Sequence, residues 1–238
     1  MTSSKPSLLN NRALVNAYCD LIFLLDRNYP KKSALTFVSN HYTLKKKYRN
    51  ILNRVALSLE TVQIIQSNLV RNYDLIKGKD FHIDTYNQII TMFSLMNHDP
   101  LIKCRDGVLR DIFSSLHGIK DLRVNRKLLS TYINALVKLE PKKVFLYFDK
   151  QISHSSDHAR LSSALIHEFG LIGSCIVHKA VDWSLRNQKE EIVISHDSAI
   201  LTVVPQCFDF FSWYLNKSFP SSLSHHFLLN FQKIICLN

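Results

Sequence analysis

From about Lys79 onward, short runs rich in β-branched and aromatic residues alternate with stretches of helical periodicity, and that alternation leaves few folds open. The strand candidates are residues 81–84, 101–105, 144–149, 174–178, 192–197 and 208–215. The clearest helix between them covers residues 157–169, where Leu161, Ala164, Leu165 and Glu168 precede a stop at Gly170. Strand followed by helix, repeated, requires right-handed crossovers and a mostly parallel sheet with helices on both faces. The expected fold class of this part is α/β.

Before Lys79 the texture is helical. Leu14, Ala17, Tyr18, Leu21 and Leu25 recur at helical spacing up to Asn28-Tyr29-Pro30, where proline disfavours helical geometry in the residue before it. A short second helix is expected over residues 31–40. Thr43 then reads as the N-cap of a third helix whose buried stripe is Leu44, Tyr48, Ile51, Leu52, Val55 and Leu59. Its other face carries Lys45, Lys46, Lys47, Arg49 and Arg54. Three helices with a compact second turn resemble a helix-turn-helix arrangement, in which the basic third helix lies against nucleic acid. Any small helical bundle also has a polar face that lysines populate. Residues 224–235 place Phe227, Leu228, Phe231, Ile234 and Ile235 at helical spacing and read as a closing helix. The expected organisation is a basic helical domain over residues 1–78, an α/β domain over 79–215 and a helical extension over 216–238, consistent with 238 residues at roughly 100 to 200 per domain.

Charge follows the same division. Of the net +11, residues 1–79 contribute +9, from 13 Lys/Arg against 4 Asp/Glu, while residues 80–215 balance at 15 against 15. A locally basic domain suggests a polyanionic partner, nucleic acid or an anionic membrane surface; a solvated basic face with no partner is the plainer alternative. No uncharged apolar stretch reaches the ~18 residues of a membrane span, the apolar run at 21–25 is too short for a signal-peptide core, and the start Met1-Thr2-Ser3-Ser4-Lys5 is polar. The cytoplasm is the expected location. Cys19, Cys104, Cys175, Cys207 and Cys236 are odd in number and form no Cys-x-x-Cys, so neither a disulfide framework nor a familiar zinc site is signalled. Of 11 histidines only His225 and His226 are adjacent, and no His-Glu-x-x-His occurs.

Four of the expected strands end in, or lead directly into, an aspartate: Phe81-His82-Ile83-Asp84, Phe145-Leu146-Tyr147-Phe148-Asp149, Lys179-Ala180-Val181-Asp182 and Val193-Ile194-Ser195-His196-Asp197. In open parallel sheets ligands bind beyond the carboxyl ends of the strands, so these side chains are expected to converge on one rim. Clustered carboxylates repel each other, and a divalent cation relieves the repulsion; Mg²⁺ suits such a site because it takes oxygen ligands and retains waters. Two metals about 3.5 to 4 Å apart can activate water and stabilise the leaving oxygen of a phosphodiester, which is nuclease chemistry. Each aspartate taken singly can instead be a helix N-cap.

At these residues the chain resembles a known family. Ile83-Asp84-Thr85-Tyr86-Asn87, Phe148-Asp149, Val181-Asp182 and Ser195-His196-Asp197-Ser198 are similar to the ordered acidic motifs of PIN-like nucleases, including their NYN relatives. Leu24-Leu25-Asp26-Arg27-Asn28-Tyr29-Pro30-Lys31-Lys32-Ser33-Ala34-Leu35 and Arg105-Asp106-Gly107-Val108-Leu109-Arg110-Asp111 resemble, more narrowly, an uncharacterised prokaryotic family in which a small helical domain precedes a PIN-like domain. The resemblance covers roughly residues 12–210. It implies that Asp84, Asp149, Asp182 and Asp197 are catalytic acids and ligands of Mg²⁺ or Mn²⁺, with Asn87 supporting the first. Asp106, Arg110 and Asp111 belong to the narrower motif. Ser153 and Ser155 match a serine-rich turn whose hydroxyls position a phosphate. The chain departs from the pattern at Thr85 and Ser156, where glycine is usual, and at His196, where a small residue is usual. Both Thr85 and Ser156 add bulk near the expected rim.

His154 and His196 are candidates for proton donors or phosphate contacts, or are ordinary polar loop residues. Arg105 and Arg110 either stabilise phosphoryl charge or pair with Asp106 and Asp111. The expected function is a metal-dependent PIN-like endonuclease, a ribonuclease in preference to a DNase, with Lys45, Lys46, Lys47, Arg49 and Arg54 contacting phosphates. The alternative is a catalytically inactive nucleic-acid-binding protein with a degenerate rim. A haloacid dehalogenase-type phosphatase requires a second Asp two residues after the first, where Tyr86 stands, and a receiver domain requires paired early acids that are missing.

Overall fold

The structure is a computed structural model that describes residues 11–112 and 123–218, with residues 228–230 described as backbone. Four helices come first: α1 (Arg12–Leu25), α2 (Lys31–His41), α3 (Lys46–Val55) and α4 (Leu59–Asn68). The Asn11 side chain caps α1 by accepting the Leu14 N–H. After α1 the chain turns through Asn28, in the left-handed region at φ 62°, and Pro30 opens α2.

Thr43 does not cap the third helix. It sits at φ 50° and its N–H donates to Asn40 O, while the next N–H, of Leu44, donates to Ser39 O, so Thr43 closes α2. The stripe expected to run to Leu59 also breaks earlier. Ala56 is extended, and Ser58 caps a separate α4 by accepting the Thr61 N–H, leaving Leu59 exposed.

The α/β part runs β1 (Asp80–Asp84), α5 (Thr85–Met96), β2 (Leu101–Lys103), β3 (Leu109–Asp111), α6 (Arg126–Val137), β4 (Lys143–Asp149), α7 (Ser155–Glu168), β5 (Gly173–His178), α8 (Val181–Arg186), β6 (Ile192–Ile194), α9 (Ser198–Leu201) and α10 (Phe210–Ser218), followed by β7 (Leu228–Asn230). Four strands form one sheet in the order β5-β4-β1-β6, every pair parallel. Helices flank this sheet. Phe81, His82 and Ile83 of β1 and all of β6 are buried, as expected when both faces are covered. Buried His82 meets the Tyr147 hydroxyl across β1 and β4 at 2.9 Å.

Two expected elements differ. Most of the stretch 208–215 is helical, as the start of α10 at Phe210: Asp209 just before it accepts the Ser212 N–H, and Phe210, Phe211 and Leu215 bury one helical face. An aromatic run satisfies a strand pattern and a helix stripe alike; the Asp209 cap decides for the helix. Residues 228–230 pair parallel with β2 as a strand, whereas the remainder of the expected closing helix lies outside the described residues. A third strand was not expected: β3 returns antiparallel to β2 through a turn at Gly107, φ 88°, inside the charged 105–111 motif.

The helical segment does not stand apart. Leu14, Tyr18, Leu21, Ile51 and Leu52 share a core with Ile102, Cys104 and Ile112 of the β2–β3 hairpin region. Leu57, Val62 and Ile65 share another with Val193, Ile200 and Leu201. Asp26, just after α1, accepts from Arg105 at 2.7 Å and from the Leu59 N–H at 2.6 Å. The helices are therefore a layer built onto the α/β body. Ile102→Ala, which opens a void where the two meet, is expected to cost about 2–5 kcal/mol. Unfolding followed by helical circular dichroism and by the fluorescence of Trp183 and Trp213 is expected to coincide in one transition; two separated transitions would show independent domains.

Candidate functional site

Because the four strands of the main sheet are parallel, their carboxyl ends share one edge. The chain steps from β1 to β4 and β5 on one side and then returns to place β6 on the other, so the order reverses beside β1. The crevice at such a reversal is the usual ligand site of open α/β sheets. Asp84 ends β1, and Ser195 and Asp197 follow β6 across that crevice. Asp149 ends β4, and Asp182 lies in the first turn of α8 after β5. All four expected acids thus face one rim.

Their surroundings separate capping from other roles. Asp84 occupies the N-cap position of α5 but makes no side-chain capping hydrogen bond; instead its Oδ2 accepts from the Ser195 hydroxyl at 3.0 Å. Asp197 does cap α9, through Oδ1 to the Ala199 N–H at 2.8 Å. Asp149 accepts the Gln151 N–H at 2.8 Å in a turn closed by its own side chain. Asp182 is exposed.

Burial pushes the Asp84 carboxyl up from its ordinary value of 3.8 to about 7; the Ser195 hydroxyl opposes the rise, and the charges of Asp197 and Asp182 add to it. Asp182, although exposed as a residue, is raised by partial desolvation of its carboxyl, then by Asp197 and Asp149. The four acids therefore form one electrostatic group. Among the described residues, however, no three His, Cys, Asp or Glu side chains are grouped closely enough to hold one metal ion. Strand spacing accounts for this: β1 lies between β4 and β6, which sets their ends about 10 Å apart.

Asn87 supports the rim as expected. Its Oδ1 accepts the His196 N–H at 2.8 Å, fixing the turn that carries Asp197. Thr85 is fully buried at the head of α5, and its hydroxyl donates to Ile83 O at 3.4 Å. His196 is buried as well, and burial together with Arg110 pushes its imidazole well below the ordinary range, so it stays neutral. His154 is exposed ahead of α7 at φ 62°, 3.5 Å from Asp157. Ser153 is exposed and Ser155 is buried at the start of α7; the hydroxyl of neither bonds an acid of the rim.

The narrower motif proves to be an ion-pair network. Arg110, 1% exposed, donates to Asp106 Oδ1 and Oδ2 at 2.9 and 2.6 Å and through Nε to His196 O at 2.9 Å. Asp111 is fully buried and pairs with Arg54. Arg105 pairs with Asp26. Arg54, expected on the solvent face of α3, is thus turned inward because Asp111 anchors it. Arg49 is tied to Leu44 O and Asn40 Oδ1 at the end of α2. Of the five basic residues proposed for nucleic-acid contact, Lys45, Lys46 and Lys47 remain exposed.

Beside Asp197, Lys31, Arg54 and Arg110 line a pocket of about 290 Å³ together with Asn53 and Asn87. Lys31 and Asn53 were not among the expected site residues, although Lys31 lies inside the Pro30-Lys31-Lys32 stretch of the narrower motif. Ser195 was likewise overlooked. No described helix is long and apolar enough to cross a membrane.

Residues 73–213 match a family model described as "Domain of unknown function (DUF5616)", and residues 13–67 match one described as "Protein of unknown function (DUF434)". The chain is 31% identical over 183 residues to a protein of Methanocaldococcus jannaschii named as uncharacterized, covering 76% of this chain and 86% of that one. No solved structure matches significantly.

Two outcomes follow from the geometry. An acid whose folded pKa lies above its unfolded value binds its proton more tightly when folded, so stability falls as pH rises between the two values. Asp84 is expected to make the metal-free protein lose stability from about pH 4 to about pH 7 and level off above. Asp84→Asn removes that loss, measured by denaturant unfolding across the range, and unfolds later than wild type at pH 8. Arg110→Met leaves Asp106 buried without its partner and is expected to cost about 3–5 kcal/mol; a loss below 1 kcal/mol in the same unfolding measurement would contradict the pairing.

Proposed function

This chain belongs to the DUF5616 family, and for it we propose a metal-dependent endonuclease of the PIN-like class that hydrolyses phosphodiesters, those of RNA in preference to DNA. The observation that carries the reading is the shared rim of Asp84, Asp149, Asp182 and Asp197, in which Asp84 is held near pKa 7 by burial and by neighbouring carboxylates. That arrangement is costly to the bare fold, and a divalent cation offsets it. The donor set fits Mg²⁺ or Mn²⁺: it is all oxygen, and Mg²⁺ is commonly held by one or two carboxylates with waters and substrate phosphates completing its shell. Bound there, the ion supplies activation of water and stabilisation of the leaving oxygen.

The chain's own groups have separable tasks in this reading. Ser195 orients the Asp84 carboxylate through its 3.0 Å hydrogen bond, so Asp84 and Asp197 present oxygens across the crevice between β1 and β6. Asn87 holds the turn bearing Asp197 in place. Asp149 and Asp182 form the opposite lip and accept protons released during hydrolysis. Lys45, Lys46 and Lys47 supply sequence-independent phosphate contacts outside the rim.

One observation favours a second reading, a catalytically inactive nucleic-acid-binding protein: no three ligand-type side chains among the described residues stand close enough to ligate one ion. Single-stranded and duplex RNA and DNA incubated with purified protein in Mg²⁺, Mn²⁺ or EDTA discriminate the two. Cleavage is expected with metal, lost in EDTA and reduced at least a hundredfold in Asp197→Asn, which keeps the α9 cap because Asn caps as well as Asp. Binding without metal-dependent cleavage would establish the second reading.

A further inference from the structure

The pocket beside Asp197 is assembled from three distant parts of the chain. Lys31 comes from the start of α2, Arg54 from α3 and Arg110 from β3. Two of these cations are fixed from behind, Arg54 by Asp111 and Arg110 by Asp106, so their remaining donors are preorganised. Arg54 Nε is buried without a hydrogen-bond partner, and an unsatisfied buried donor is rare in folded proteins and points to an absent acceptor. Lys31 is half-buried and makes neither a hydrogen bond nor an ion pair among the described residues. Burial and the nearby Arg110 push the Lys31 ammonium down, against the opposing charge of Asp197.

The cavity, about 290 Å³, lies at the low end of ligand-pocket sizes, room for a phosphate with its sugar and too small for a duplex. We propose that this pocket holds a terminal phosphate of a nucleic-acid strand, next to the acidic rim. A phosphomonoester carries about −1.5 to −2 charges at neutral pH, against one for an internal diester, and so better matches a pocket lined by three cationic side chains. Asp197 forms the wall common to pocket and rim and is occupied with capping α9 through Oδ1. Naming the ligand as part of a strand rests on the nuclease reading; the phosphate site does not.

The test is binding in EDTA, where no cleavage intervenes. Inorganic phosphate, and one short oligoribonucleotide with a 5′-phosphate, a 3′-phosphate or hydroxyls at both ends, are titrated by thermal unfolding and fluorescence anisotropy. Wild type is expected to be stabilised by phosphate and to bind one phosphorylated form about tenfold more tightly than the unphosphorylated strand. Lys31→Met is expected to abolish that preference and Lys31→Arg to retain much of it. Arg54→Gln breaks the buried ion pair with Asp111 and can simply unfold the protein, so Lys31 carries the test. Equal affinity for all three strands, or an unchanged preference in Lys31→Met, overturns the proposal. Stabilisation by inorganic phosphate without any strand preference overturns the assignment to a strand end. A terminal-phosphate preference with no cleavage in Mg²⁺ or Mn²⁺ upholds the pocket and sinks the nuclease reading alone.

Discussion

The Arg110 guanidinium holds together the three parts from which the site is made. It lies buried in β3, bonds Asp106 twice within its own hairpin and reaches through Nε to His196 O in the turn after β6. On the other side of that turn, Asn87 accepts the His196 N–H. The segment that carries Asp197 is therefore clamped at both backbone groups of one residue. Next to Arg110 in the chain, Asp111 draws in Arg54 from the helical layer. Taking such charges out of water is expensive, and well-packed apolar residues often do the same structural work at no loss. We attribute their presence to position: they set the helical layer, the hairpin and the end of the sheet in one geometry around the crevice.

Two differently charged sites consequently lie side by side. The rim is acidic and raises its own carboxyls; the pocket is lined by Lys31, Arg54 and Arg110, the two arginines each paired with an aspartate, and leaves Arg54 Nε unsatisfied. Asp197 stands where they join. A divalent cation is the complement of the first and a phosphate of the second, and in the function we propose a metal-bound polynucleotide supplies both in adjacent positions. That proposal rests on this pairing rather than on the overall charge of +11.

Much of this was legible in the sequence because the parallel strands β1, β4 and β6, covered on both faces, read as apolar runs, and an aspartate ends β1 and β4 and follows shortly after β6; β5 is only partly buried, and Asp182 stands beyond it in α8. The helix α7 and the ends of α1 and α2 were equally plain, marked by Gly170, Pro30 and regular spacing. What escaped was decided by partners far away in the chain. Arg54 falls on the polar side of its helix by periodicity, yet Asp111, 57 residues on, turns it inward. The β3 strand was hidden because its residues, Leu109-Arg110-Asp111, are charged for pairing rather than patterned for a sheet face. Helix α10 was mistaken for a strand because consecutive phenylalanines suit either. Lys31 was visible within a motif, but nothing local tells a solvated lysine from one that lines a pocket.

The claim on which the rest stands is that the rim at the ends of β1 and β6 takes a divalent cation. Anomalous diffraction from crystals soaked in Mn²⁺ tests it without depending on any substrate. A peak is expected between Asp84 and Asp197, completed by waters, that vanishes in Asp84→Asn crystals. Well-diffracting soaked crystals with no peak at the rim, or with manganese bound only elsewhere, would contradict it.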